Sequence, residues 1–379
     1  MLALRICLEL PRFHYSSLPK LLDLRCQNML VKIRFYAAVL LSILSTVAVA
    51  VDPDIDGLAW KKPIILARSG GFPIGGQIIQ NPRRPNQTLS CDHGYMEYFI
   101  PWSPRATSIV MWHSSSTQVW QNRWDGGEGF KDMFLRRDYP VYLWDGPRVG
   151  RANCACINIS YTPSYMDQSN FAGWNFGRSF PNWWPDVQFP INDSAAWERA
   201  TSSRYQEWDT IDNVQLQSDA AAVAADSNQL GNNIVYLTNS AGGLRALMTA
   251  VKANGTNIKG IVAYECMGSL FPDNVGITAG RGGFGPFVVQ EDMFKKLANL
   301  TSIQFVWGDH RPESDNSVRQ TRKMAELIVQ YGGNARVLKL NEDGGLTGNT
   351  HIPFADMNNA KVAHVLDQFL ADSGLDDYA

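Results

Sequence analysis

Ile234-Val235-Tyr236-Leu237-Thr238-Asn239-Ser240-Ala241-Gly242-Gly243 is an apolar run that stops at a serine followed by small residues. Four consecutive apolar residues with β-branched members read as a buried strand. The Ala/Leu-rich stretch from Leu244 to Lys252 reads as a helix. A strand, then x-x-Ser-x-Gly, then a helix is the pattern of a nucleophile elbow, whose tight turn lifts a serine hydroxyl above the sheet edge. Small neighbours are needed to close such a turn, and Ala241, Gly242 and Gly243 supply them. Thr238 stands where the first glycine of the pattern is usual. Ser-x-Gly alone is common; its place between a buried strand and a helix is what gives it weight.

Outward from this turn the same alternation repeats. Upstream, Val214 to Asp226 is helical and rich in alanine; downstream, strand Ile258 to Tyr264 ends at Glu265. Strand Ile303 to Trp307 ends at Gly308-Asp309, helix Val318 to Tyr331 and strand Ala335 to Leu340 follow, and helix Lys361 to Leu370 closes the chain. On the N-terminal side, Leu66 to Ile100 carries the Gly, Pro and short apolar runs of hairpins. Strand Ser108 to Trp112 stops at His113-Ser114-Ser115-Ser116. Phe130, Met133 and Phe134 share one face of a helix over Gly129 to Arg137, and strand Pro140 to Trp144 stops at Asp145-Gly146-Pro147. Strands that are apolar throughout, alternating with helices, predict an α/β fold: a mostly parallel central sheet with helices on both faces.

Between the halves, roughly residues 153–204, no strand periodicity is visible. Phe171, Trp174, Phe176, Phe180, Trp183, Trp184, Phe189 and Trp197 crowd this stretch. A long irregular insertion in a compact domain is usually functional, so it is expected to be a cap or lid. Trp174, Phe176, Trp183, Trp184 and Phe189 are its candidate substrate-binding residues; the alternative is a small satellite core.

A serine hydroxyl needs a base to attack. Of His14, His93, His113, His310, His351 and His364, His351 lies in the Gly-rich loop between the last strand and the last helix. Strand C-termini line the ligand crevice of such sheets, so that loop would hold His351 over the same edge as Ser240. His364 falls within the terminal helix and is expected to be structural. The carboxylate that orients the imidazole is Glu265 or Asp309, both at strand ends between Ser240 and His351, and spacing does not choose between them. The oxyanion needs two backbone N–H donors, expected from Ala241 and from Ser114 or Ser115.

The chain has 379 residues, 45% of them hydrophobic, and a formal net charge of −2. That is long enough for a large core, and nothing in the charge argues for nucleic acid or an anionic membrane surface. Lys32 and Arg34 precede an apolar run from Phe35 to Val49, and Ala48-Val49-Ala50 is a small-x-small cleavage motif. Residues 1–50 therefore read as an export signal with translation starting at Met29 and cleavage after Ala50, leaving 51–379 as the mature domain. An uncleaved signal anchor is the alternative, although the run is short for a span of about 20 residues. Sequons at Asn86, Asn158, Asn192, Asn254 and Asn299 fit a secreted protein. Cys91, Cys154, Cys156 and Cys266 remain after cleavage and permit disulfides without fixing their connectivity. No HExxH or CxxC pattern occurs, and neither a metal nor an organic cofactor is expected.

Several stretches in order resemble the α/β-hydrolase superfamily, and more narrowly a bacterial and fungal subgroup of exported esterases. They are Gly70-Gly71, Val110-Met111-Trp112-His113, Trp120 through Trp124-Asp125-Gly126 to Gly129-Phe130, and Tyr142-Leu143-Trp144-Asp145 to Gly150-Arg151. Gln188-Phe189-Pro190, Asn239-Ser240-Ala241-Gly242, and Gly348-Asn349-Thr350-His351 to Asp356-Met357-Asn358-Asn359 continue the likeness. The resemblance implies a Ser-Glu-His triad with Glu265 as the acid. It departs at His113-Ser114, where the subgroup reads His-Gly, and the bulkier residue bears on the oxyanion loop and on substrate size. The expectation is a secreted serine hydrolase acting on a small, hydrophobic carboxylic ester or lactone through an acyl-enzyme. An acyl-transfer or cyclising enzyme with the same triad is the alternative, and an inactive binding module on the same fold is a third reading.

Overall fold

Along each central strand, alternate side chains enter two different apolar layers. On β5 (Asn233–Asn239) of the computed structural model, Ile234 and Tyr236 join one layer, Val235 and Leu237 the other. Residues 61–113, 116–159, 166–203 and 209–379 are described; the expected export signal, Ser114 and Ser115 lie outside them. Because both faces are covered, strands at the centre read as unbroken apolar runs.

The sheet has eight strands in the order β1-β2-β4-β3-β5-β6-β7-β8. β1 (Leu66–Gln80) and β2 (Thr88–Pro101) form the antiparallel hairpin expected from their turn residues, and β2 pairs antiparallel with β4 (Val141–Asp145). From β4 onward through β3 (Thr107–His113), β5, β6 (Ile258–Tyr264), β7 (Ser302–Trp307) and β8 (Ala335–Lys339), all neighbours are parallel. The carboxyl ends of these parallel strands therefore share one edge, where the loops carrying the candidate chemistry emerge.

Helix α1 (Phe130–Arg136) covers one face, together with the terminal helix Asn359–Asp372, through Phe130, Phe134, Val362, Leu366 and Phe369. The other face is covered by helices Ile211–Asp226, Ala241–Lys252 and Asn316–Gln330. Thr210 caps the first of these by accepting the Asn213 N–H, and Asp315 caps the last by accepting that of Ser317. His364 lies within the terminal helix, as expected, on its exposed side.

The insertion is more structured than its sequence suggests. It contains α2 (Asp167–Gly173), a two-stranded antiparallel pair (Gly177–Ser179 with Asn182–Trp183) and α3 (Ser194–Ser202), which Asp193 caps through the Ala195 and Ala196 N–H groups. Its aromatic rings pack on one another: Phe176 and Phe189 lie 4.8 Å apart, and Trp183 stacks on Phe189 at 5.2 Å. Phe171, Phe176 and Phe189 are buried, whereas Trp174, Trp183 and Trp184 are half-buried. The short strands escaped sequence reading because three and two residues are too few to show period-two alternation.

Cys91 on β2 is disulfide-bonded to Cys156, Cys154 is an exposed thiol, and Cys266 is buried. The five sequon asparagines, Asn86, Asn158, Asn192, Asn254 and Asn299, are all exposed. No helix among the described residues is long and apolar enough to cross a membrane.

Candidate active site

The turn after β5 is one residue long. β5 ends at Asn239 and the next helix, α4 (Ala241–Lys252), starts at Ala241, three residues before the expected start. Ser240 alone makes the reversal, with φ 55° and ψ −134°. A non-glycine residue in such a conformation stores about 1–3 kcal/mol of strain and persists only where its surroundings hold it. Here the Ser240 N–H donates to the Tyr264 carbonyl at 3.1 Å, and the Ser240 carbonyl accepts the Met267 N–H at 3.0 Å. Thr238 is accommodated because its register partner on β6 is the small Ala263, and its hydroxyl donates to the Val262 carbonyl at 3.3 Å. Behind the turn, a Cβ on Gly243 would lie 2.5 Å from Cys266 Sγ, so glycine lets α4 approach β6. The Ser240 side chain is half-buried, and no hydrogen bond joins it to His351 among the described residues. Catalytic contacts in an unliganded site are often long and tighten in the reacting complex.

Glu265 follows β6 directly with φ 45°, and its carboxylate is wholly buried. Oε1 accepts the Gly308 N–H at 2.9 Å. Oε2 accepts Arg311 Nε at 2.8 Å and lies 3.3 Å from His351 Nδ1. Burial alone would raise the acid's pKa, but the Arg311 charge, the His351 contact and the Gly308 N–H outweigh it and hold the carboxyl at about 2.

His351 is fixed through its backbone. Its N–H donates to the Trp174 carbonyl at 2.8 Å, and its carbonyl accepts Asn239 Nδ2 at 2.8 Å. Asn239 Nδ2 also donates to the Tyr264 carbonyl at 3.1 Å, so the residue before Ser240 ties the histidine to the strand end that carries Glu265. The structure thus brings Ser240, His351 and Glu265 to one edge of the sheet.

Asp309 is placed differently. Its two carboxylate oxygens accept the Gly348 N–H at 3.1 and 3.0 Å, in the same loop as His351 but away from the imidazole. Asp356 braces that loop from inside, accepting the Thr350 N–H, the Thr350 hydroxyl, Asn349 Nδ2 and Trp124 Nε1 at 2.7, 2.8, 3.1 and 3.0 Å. Burial pushes the Asp356 pKa up to about 7 against the pull of these bonds.

The Ala241 N–H belongs to the first turn of α4, where backbone donors have no helical partner. β3 ends at His113, which pairs in register with Asn239, the residue before Ser240. Of the cap residues, Trp174 meets the site through its carbonyl, and Trp184 stacks on His310 at 4.2 Å. Asp186, Asp309 and His310 offer ligand atoms within 4.8 Å of one another, but His310 Nε2 already lies 2.9 Å from Asp186 Oδ1, and an internal hydrogen bond accounts for the grouping. Arg311 was missed in the sequence and carries no local signal. Asn239 and Asp356 stand in the stretches that carry the resemblance, but no role was read for them.

No protein-family profile matches the chain, and no curated protein does. Among solved structures it is similar to a bacterial esterase determined at atomic resolution, with a TM-score of 0.66 and 20% identity over 83% of this chain and 99% of that one. An arylesterase superposes at a TM-score of 0.39 and 13% identity, covering 83% of this chain and 87% of the other. An esterase of Pyrobaculum calidifontis gives 0.39 and 16% over 81% and 85%. At the first of these levels the likeness shows the fold, which is that of the α/β-hydrolases.

Proposed function

We propose that this chain, an α/β-hydrolase by fold, is an exported serine hydrolase that cleaves a carboxylic ester or lactone through an acyl-enzyme. The observation that carries the reading is the buried Glu265–His351 pair, tied through Asn239 and Tyr264 to a serine held at positive φ. Ser240 Oγ attacks the carbonyl carbon while His351 takes its proton. Glu265 keeps the imidazole oriented and stabilises the imidazolium. The Ala241 N–H and a donor from Ser114 or Ser115 stabilise the tetrahedral oxyanion, and loss of one such donor typically raises the barrier by about 3 kcal/mol. Collapse expels the alkoxide, which leaves with the proton from His351. Water then attacks the acyl carbon as His351 takes its proton, and collapse breaks the bond to Ser240 Oγ, which regains the proton from His351 as the acid is released. Glu265 rather than Asp309 is the acid in this scheme because Glu265 Oε2 lies 3.3 Å from His351 Nδ1, whereas Asp309 accepts the Gly348 N–H.

A hydrophobic acyl or aryl group is the substrate part we assign to the cap, on the strength of the half-buried Trp174, whose carbonyl accepts the His351 N–H, and Trp184, which stacks on His310. Export rests on the N-terminal signal pattern, on the disulfide and on the exposure of the sequon asparagines. Stopped-flow turnover of a short p-nitrophenyl ester tests the chemistry. The expected trace is a burst of p-nitrophenol, one per active site, followed by a slower steady state, and added alcohol or amine then measures partition of the acyl group. Release of phenol that persists undiminished in Ser240→Ala would sink the reading.

A further inference from the structure

Glu265 has a second partner that a histidine-orienting acid does not require. Arg311 follows β7 by four positions and turns its largely buried guanidinium back onto the acid, placing Nε 2.8 Å from Oε2, the oxygen that also faces His351. The other end of the guanidinium donates, through Nη2, to the Gly173 carbonyl at 2.6 Å, at the C-terminus of α2 in the insertion. The next carbonyl in the chain, that of Trp174, accepts the His351 N–H. Two successive carbonyls of the insertion are thus fastened to the acid and to the base. Arg311 is itself held from behind, because Lys339 Nζ donates to its carbonyl.

A carboxylate buried to this depth is strongly disfavoured without a counter-charge, and the Arg311 guanidinium 2.8 Å from Oε2 supplies a permanent one. We propose that Arg311 is a positioning residue that holds Glu265 as a carboxylate, shares its Oε2 with His351, and anchors the acid–base pair to the insertion at Gly173. The proposal rests on the triad reading above. Its consequence follows from Coulomb's law. A cation on the far side of Oε2 partly neutralises the acid and opposes a second positive charge on the imidazole. His351 is therefore harder to protonate than it would be beside Glu265 alone, and the base stays available in mildly acidic solution. The other ionisable groups near the pair act at one remove: Asp309 through Gly348, Asp356 through Thr350, Lys339 through the Arg311 carbonyl, and Asp186 and His310 through their mutual bond.

The test is the pH profile of kcat/KM on a short p-nitrophenyl ester for wild type, Arg311→Gln and Arg311→Lys. Glutamine can still donate to a carboxylate but carries no charge, so the acidic limb should move up by about one pH unit. At the optimum, kcat should fall about 10- to 100-fold, with KM little changed. Lysine restores the charge and should return the limb towards wild type. If kcat falls while the glutamine limb stays at its wild-type position, Arg311 is merely structural and the inference is overturned. Should Arg311→Gln fail to fold, the imidazole of His351 followed by NMR in wild type and in Arg311→Met, which keeps side-chain volume without the charge, decides instead. A His351 pKa higher in the methionine variant than in wild type supports the proposal, and an equal or lower one contradicts it. Ser240→Ala, run alongside, separates the two levels: full activity there would refute the triad itself, whereas an unmoved limb with an inactive Ser240→Ala refutes only the role of Arg311.

Discussion

At the scale of single residues, Glu265 and Asp309 show why sequence narrows a site without completing it. Both acids end parallel strands between the serine and the histidine, and nothing in their spacing separates them. The difference is made by distant partners: Asp309 is occupied by the Gly348 N–H, and Glu265 is left facing His351. Glu265→Gln should therefore lower kcat by roughly 10³–10⁴, as for other acids that fix an imidazole tautomer. Asp309→Asn should lose no more than about 100-fold, the range for groups that act through a neighbour, and steady-state kinetics of the two variants checks the ordering. Glu265 also links charge to stability. Its pKa falls from 4.5 to about 2 on folding, so its contribution is present above about pH 4.5 and is lost as pH drops towards 2. The size is on the order of 3 kcal/mol. Acid titration of the urea midpoint should show this loss in wild type, with a shallower decline in Glu265→Gln.

At the scale of elements, the strand–turn–helix around Ser240 was legible because burial on both faces leaves an unbroken apolar signature. The start of α4 was less so. Ala241, Gly242 and Gly243 carry no apolar period, and helix formers such as Leu244 announced the helix three residues late. What these small residues do is visible only in contact with β6. A methyl group on Gly243 would press into Cys266 Sγ at 2.5 Å and also approach Ala263 Cβ at 3.2 Å. Gly243→Ala should destabilise the protein by about 1–3 kcal/mol through overpacking, measured as a lower urea midpoint. Gly243→Ala combined with Cys266→Ala should recover part of the loss. The insertion illustrates the opposite limit: its aromatic content stood out, but strands of three and two residues are too short to leave a periodic trace.

At the scale of the whole molecule, the antiparallel hairpin and the parallel strands that follow it place Ser240, Glu265, Asp309 and His351 on one edge, and this much follows from element order alone. The closure of the edge does not, since the backbone bonds from Trp174 to His351 and from Gln188 to Gly348 join segments far apart in the chain. The disulfide adds a constraint of the same long-range kind. Cys91 and Cys156 are 65 residues apart, and a loop of that size corresponds to about 4 kcal/mol of unfolded-state entropy in the chain-closure picture. Cys91→Ser, paired with Cys156→Ser, should lower stability by up to that amount, and chemical denaturation with and without reductant measures it. The central claim, that Ser240 is the nucleophile, is tested most directly by covalent labelling with a fluorophosphonate followed by peptide mass spectrometry. The account predicts one adduct per chain, on the peptide containing Ser240, with activity lost in proportion and no labelling of Ser240→Ala. An adduct at another residue, or full turnover by protein whose Ser240 is blocked, would contradict it.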